Sequence, residues 1–162
     1  MAKATHQLSY GLYALGVKSS TKENMCIINT AVQVASKPPA LSVAVSKDNY
    51  TNELIASAQQ FNVTILKQDI DLNTIARFGF ATGRTQNKFE GFADYAYDTA
   101  GNPYLTKDGL AMMSIRLSGS VDMGSHTIFY GEIVEQEVYG TGEPLTYAYY
   151  RAVKNGTTPK NA

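Results

Sequence analysis

Between residues 112 and 121 the chain alternates: Met113, Ile115, Leu117 and Val121 are apolar, and Ser114, Arg116, Ser118 and Ser120 stand between them. Successive side chains of a strand point to opposite faces, so a period of two makes one apolar face and one face that can meet water. Leu41, Val43 and Val45 alternate in the same way with Ser42 and Ala44. Residues 10–19, 26–34, 61–66 and 127–139 complete six main strands. In the last of these the apolar phase moves near Gly131, from Ile128 and Tyr130 to Ile133 and then Val134 and Val138, which predicts a bulge. Helices are expected over residues 51–58, entered from Thr51 or Asn49, and over residues 72–79, entered from Asp71. The pattern is mainly β, a closed or split antiparallel barrel. No Gly-x-Gly-x-x-Gly follows a strand, which argues against a dinucleotide site of the doubly wound kind.

The 162 residues fit a single domain, residues 1–162. Residues 83–104, rich in Gly, Asp, Asn and Thr, read as a long surface excursion, and residues 154–162 as a polar C-terminal arm. Fourteen lysines and arginines balance fourteen aspartates and glutamates. That balance argues against nucleic acid as a partner. One cysteine, Cys26, leaves no intrachain disulfide and no paired-cysteine metal motif. It is expected to act as a small buried hydrophobe in a cytoplasmic protein. No apolar run approaches the length of a membrane span, and the first residues lack the pattern of a signal peptide.

Four segments could carry chemistry. Residues 26–39 run from Cys26 through Asn29-Thr30 and Gln33 to Pro38-Pro39. Read as one strand, they put Asn29 and Gln33 on one face and Thr30 on the other. Amides are unusual on a strand, and held rigidly they suit a heterocycle edged with carbonyl and N–H groups. A solvated face is the alternative. In residues 46–51, Ser46-Lys47-Asp48-Asn49-Tyr50-Thr51, a strand end turns into a helix start, where unpaired N–H groups favour an anion. An ordinary cap is the alternative. Residues 78–89 carry Phe78-Gly79-Phe80 and then Arg84 and Lys88, two cations that a loop could converge on one phosphate or leave in solvent. In residues 124–131, His126 stands at a strand mouth beside Ser125, able to hydrogen-bond a ligand or simply a loop.

In order, spacing and wording these segments resemble the flavin reductase-like, FMN-binding split-barrel family, over nearly the whole chain. The strongest pieces are residues 29–34 with Pro38-Pro39, then Asn49-Tyr50-Thr51, Phe78-Gly79-Phe80, and Gly83-Arg84 with Lys88-Phe89. The likeness is greatest to flavoredoxin-like members and to the flavin domain of flavin reductase and rubredoxin fusions. The resemblance implies a six-stranded antiparallel Greek-key split barrel with two or three short helices, forming a homodimer with one FMN per subunit. It further implies that Asn29, Thr30 (by its backbone) and Gln33 lie along the flavin, with Phe78 in the motif beside it. Ser46, Lys47, Asn49, Tyr50 and Thr51 approach the ribityl chain and phosphate, and Arg84 and Lys88 neutralise the phosphate. His126 matches a position beside the flavin that in the family usually reads Asp-His and here reads Ser125-His126; it is the candidate for positioning a nicotinamide. The implied activity is hydride transfer from NADH or NADPH to FMN. The alternative is an electron carrier reduced by rubredoxin or another redox partner.

Overall fold

The computed structural model describes residues 2–156. Of the expected C-terminal arm, residues 157–162 lie outside the described residues, while Lys154 is tied down by donating from Nζ to the Ile70 carbonyl at 2.8 Å.

Strands β1 (Tyr13–Lys18), β2 (Glu23–Ile28), β3 (Ala31–Ser36), β4 (Pro39–Ser46), β5 (Gln60–Leu66), β8 (Gly109–Asp122) and β9 (His126–Val138) form one sheet in the order β2-β1-β5-β8-β9-β4-β3. Every pairing in it is antiparallel. The expected strand over residues 26–34 is broken. Its halves, β2 and β3, pair with different neighbours at opposite edges of the sheet, and only Asn29 and Thr30 join them. Two linking residues span about 10 Å at most, so the sheet must curl until its edges nearly meet. Six expected strands thereby become seven, and the barrel is split where one strand changes partner. The break also removes the continuous two-face pattern drawn through Ile28, Thr30, Val32 and Val34. Ile28 is buried, whereas Val32 and Val34 are more than half exposed on the edge strand β3.

Burial on both faces explains why β1 and β2 are so apolar. Leu15, Val17, Cys26 and Ile28 enter the barrel interior with Leu41, Val43, Val45, Phe61, Val63, Ile115 and Phe129. Helix α1 (Tyr50–Ala58) adds Leu54 and Ile55 to this core. Ala14, Met25 and Ile27, on the alternate face, meet a second core built from Ile75 and Phe78 of α2 (Leu72–Gly79), with Phe89, Leu105 and Tyr150. Both helix starts are capped: Asn49 Oδ1 accepts from Thr51 N–H at 3.0 Å and Asp71 Oδ1 from Asn73 N–H at 2.9 Å.

The phase change near Gly131 corresponds to two register shifts between β8 and β9, one on each side of the Leu117–Gly131 pair. They leave Ser118 and Val134 as the extra residues. The expected long excursion over residues 83–104 is partly ordered, because β6 (Tyr95–Tyr97) and β7 (Pro103–Leu105) form a small hairpin. A short third helix, α3 (Tyr147–Ala152), closes the described chain. No helix among the described residues is long and apolar enough to cross a membrane.

Candidate flavin site

The break between β2 and β3 lies beside the last residues of β4, since Ala44 N–H donates to the Thr30 carbonyl at 3.3 Å and Ala31 pairs with Val43. β4 then ends at Ser46, whose cross-strand partner is His126, and three residues later Asn49 caps α1. One corner of the barrel therefore collects Asn29, Thr30, Ser46, Lys47, Asn49, Tyr50, Thr51 and His126. The reason is topological: the split, the β4 end and the helix start follow one another along the sheet edge.

Each of these side chains has a definite local partner. Asn29 Oδ1 accepts from Thr30 Oγ1 at 3.1 Å, and Ser46 Oγ accepts from Asp48 N–H at 3.3 Å. Lys47 Nζ pairs with Asp122 at 2.6 Å, and this hydrogen bond holds the Asp122 carboxyl below its usual range. Ser125 Oγ lies 2.9 Å from His126 Nδ1. Thr51 is fully buried and accepts at Oγ1 from Asn24 Nδ2 at 2.9 Å. Gln33 lies farther out on β3, exposed, with Nε2 donating to the Ala35 carbonyl at 3.0 Å.

Residues 78–89 approach this corner from outside. A cleft of about 190 Å³ lies between them and the α1 start, lined by Asn49, Tyr50, Phe78, Phe80, Gly83 and Lys88 among others. Arg84 forms an ion pair with Glu53 and sits 5.0 Å over the Tyr50 ring; Lys22 lies 5.7 Å from that same ring. The Arg84 hydrogen bond holds the Glu53 carboxyl below its ordinary range. The two cations drawn together in the sequence occupy different surroundings. Arg84 is at the surface, whereas Lys88 is buried and donates from Nζ to the Met25 and Phe78 carbonyls, each at 2.9 Å. Burial pushes its ammonium below the usual lysine range. Phe78 offers this corner its carbonyl, because its ring is fully buried in the second core.

The donor set fits a phosphate. Asn49 takes up the Thr51 and Asn52 N–H groups, the helix start still presents the positive end of its dipole, Lys22 and Arg84 lie against the Tyr50 ring, and Lys88 lines the cleft with Asn49 and Tyr50. At about 190 Å³ the cleft holds only the small end of a nucleotide, since sites for whole cofactors run to about 300 Å³ and above.

A family model described as flavin reductase like domain matches residues 5–156. The chain belongs to the flavin reductase-like domain family. Membership makes it a flavin oxidoreductase. High molecular weight rubredoxin of Moorella thermoacetica is 42% identical over 160 residues, covering 99% of this chain and 69% of that protein. Ferric-chelate reductase (NAD(P)H) of Archaeoglobus fulgidus is 34% identical over 160 residues, covering 99% of this chain and 94% of the relative. Among solved structures, flavoredoxin from Methanosarcina acetivorans shares the fold with a TM-score of 0.74 and 21% identity, over 89% of this chain and 80% of that one.

For this flavin reductase-like chain, sequence reasoning missed Asn24, Glu53 and Asp122. Asn24 stands out in retrospect as the amide at the start of the apolar run 25–28, and it is buried. Gly83 packs on it: a Cβ at Gly83 would stand 2.4 Å from Asn24 Oδ1. The loop, Asn24 and Thr51 thus form one stack that sets the loop's height above the α1 start. Glu53 and Asp122 carry no signal in the sequence, since both act only as partners of cations brought to them by the fold.

Proposed function

We propose that this flavin oxidoreductase uses FMN, taking a hydride from NADH or NADPH. The observation that carries the reading is that the α1 start and Lys88 line one small cleft, with Arg84 beside it over the Tyr50 ring. A terminal phosphate bears close to two negative charges, which this donor set suits better than the singly charged phosphates of a diphosphate bridge. When bound, FMN would supply the chemistry, accepting a hydride at N5 and passing electrons onward.

The residues do the holding and orienting. The positive end of the α1 dipole, Ser46, Asn49 and Arg84 hold the phosphate end. Lys88 reaches the same end only through its third proton, two being spent on carbonyls. Lys47 and Thr51 fix the turn that presents these groups, one through Asp122 and the other through Asn24. Asn29 and the Thr30 backbone border the ring, with Gln33 at its outer end. His126, aligned by Ser125 and lying opposite Ser46, positions the nicotinamide.

The assembly in this reading is a homodimer. β3 is an edge strand exposed along five of its six residues, with Val32 and Val34 outward, and the cleft alone leaves a flavin ring uncovered. A second copy across β3 would cover both. Likeness to the Moorella thermoacetica high molecular weight rubredoxin favours a rubredoxin as electron partner, as donor or as acceptor. The buried, unpaired Cys26 suits a reducing cytoplasm.

Comparing FMN with riboflavin by equilibrium dialysis tests the phosphate assignment. FMN is expected to bind at least a hundredfold tighter; equal affinity would refute the assignment.

A further inference from the structure

Behind the loop that borders the phosphate cleft lies a separate cavity of about 500 Å³, a volume within the range of small-molecule sites. Thr74 and Arg77 of α2 form one wall, and Asp71, Asp94, Lys107 and Asp108 stand around it. Ala81 and Lys88 line both this cavity and the cleft, so the loop is a partition between the two.

The lining holds opposite charges that do not neutralise one another. Asp108 is only 9% exposed; its Oδ2 accepts from Thr74 Oγ1 at 2.9 Å, and its Oδ1 has no partner among the described residues. Arg77 spends one guanidinium nitrogen on the Lys88 and Glu90 carbonyls, at 3.1 and 2.9 Å, and lies 5.3 Å over the Phe92 ring. Its other N–H groups have no acceptor among the described residues, and neither residue forms an ion pair there. Thr74 and Arg77 are three residues apart on α2, about 4.5 Å along the axis, so the carboxylate bonded to Thr74 and the guanidinium stand roughly one turn apart on one helix face.

Ligands of a single sign fit this lining poorly. A metal ion finds no set of three His, Cys, Asp or Glu side chains placed to hold it among the described residues. A plain anion meets three aspartates, and a plain cation meets Arg77 and Lys107. A compact molecule carrying both charges satisfies both. A buried carboxylate with one open oxygen favours an ammonium, and a guanidinium with unused N–H groups favours a carboxylate, each through charge-assisted hydrogen bonds. Asn73 and Gln86, whose side-chain amides have no partner among the described residues, add polar contacts beyond the two charges. We propose that this cavity binds a free α-amino acid, its ammonium on Asp108 and its carboxylate on Arg77.

Occupancy would act on the cleft. Arg77 holds the Lys88 carbonyl, and Lys88 lines the cleft on the other side of the loop. A ligand carboxylate that fixes the Arg77 fork fixes the segment carrying Lys88, so amino-acid binding and phosphate binding favour one another. This coupling rests on the FMN reading above; the site itself does not.

The experiment is a calorimetric titration of the FMN-loaded protein with L-glutamine, L-serine and glycine, of which at least one should bind saturably. The N-acetyl form of each binder lacks the ammonium and the carboxamide form lacks the carboxylate; both should bind at least about tenfold more weakly. Asp108→Asn keeps an acceptor for Thr74 and should weaken binding about tenfold with the melting temperature unaltered. In equilibrium dialysis a saturating amino acid should tighten FMN by about two- to fivefold. The proposal is overturned if none of the three binds saturably, if the N-acetyl or carboxamide form binds as the parent amino acid does, or if a folded Asp108→Asn protein binds as the parent does. Should Asp108→Asn fail to fold, the modified ligands on the parent protein decide. Saturable binding with unchanged FMN affinity would refute the coupling and uphold the site. A protein that holds no flavin yet binds an amino acid through Asp108 would refute the FMN reading and uphold the site.

Discussion

Lys88 and Met25 are joined across the second core by a 2.9 Å hydrogen bond from the buried ammonium to the β2 carbonyl. The same ammonium holds the Phe78 carbonyl, so one side chain ties the end of α2 to the strand that leads into the split. Lys88→Met would leave two carbonyls without donors, at a cost of about 2–4 kcal/mol in denaturant unfolding. Because burial lowers the folded-state pKa of Lys88, the unfolded chain binds the proton more readily. The penalty is present below the lowered value and is relieved as pH rises from it toward the ordinary 10.5. The stability of the parent relative to Lys88→Met should therefore grow with pH over that interval. A difference that shrinks would contradict the assignment.

Arg84 plays the opposite part, exposed and paired with Glu53 on the first turn of α1. Arg84→Ala should leave the melting temperature nearly unchanged and weaken FMN about tenfold in equilibrium dialysis. Glu53→Gln, which removes the competing carboxylate, should tighten FMN by a few-fold.

These two residues mark what the sequence could and could not reveal. Arg84 and Lys88 stand four apart in a glycine-punctuated loop, and nothing in that spacing separates a surface cation from a buried one. Only the fold of the loop over Met25 does so. The alternation over residues 112–121 was legible only in part: Met113, Ile115 and Leu117 face the core, but Ser114 is buried and Val121 is exposed beyond the Ser118 bulge; the phase change at Gly131 was legible because a bulge leaves an offset in the pattern. The break at Asn29-Thr30 was hidden. β2 and β3 are both apolar enough to read as one strand, and the partner switch depends on the sheet closing on itself. A cavity of about 940 Å³ between the N-terminal segment and α3 was invisible for a similar reason, since its walls come from opposite ends of the described chain.

Gly131 sits opposite Leu117 between the two bulges, and a Cβ there would stand 2.0 Å from the Arg116 carbonyl oxygen. Backbone cannot retreat as a flexible side chain can. Gly131→Ala should destabilise the fold by about 2 kcal/mol or more, measured by chemical denaturation. An unchanged midpoint would mean that β8 and β9 are spaced more widely than described.

Val32 and Val34 give the exposed edge strand an apolar character that suits a second copy. Replacing both with lysine should shift the protein from dimer to monomer in sedimentation equilibrium and loosen FMN with it. A parent protein that is already monomeric while it holds FMN would refute the proposed assembly.

The central claim is that FMN held at this corner is reduced by a pyridine nucleotide. Anaerobic stopped-flow mixing of the FMN-loaded protein with NADH or NADPH, followed at the flavin absorbance, tests it most directly. Bleaching at a rate compatible with turnover, about 1 s⁻¹ or faster, is the predicted result. Flavin that stays oxidised with both nucleotides, yet bleaches with reduced rubredoxin, would contradict the claim and make the protein an electron carrier.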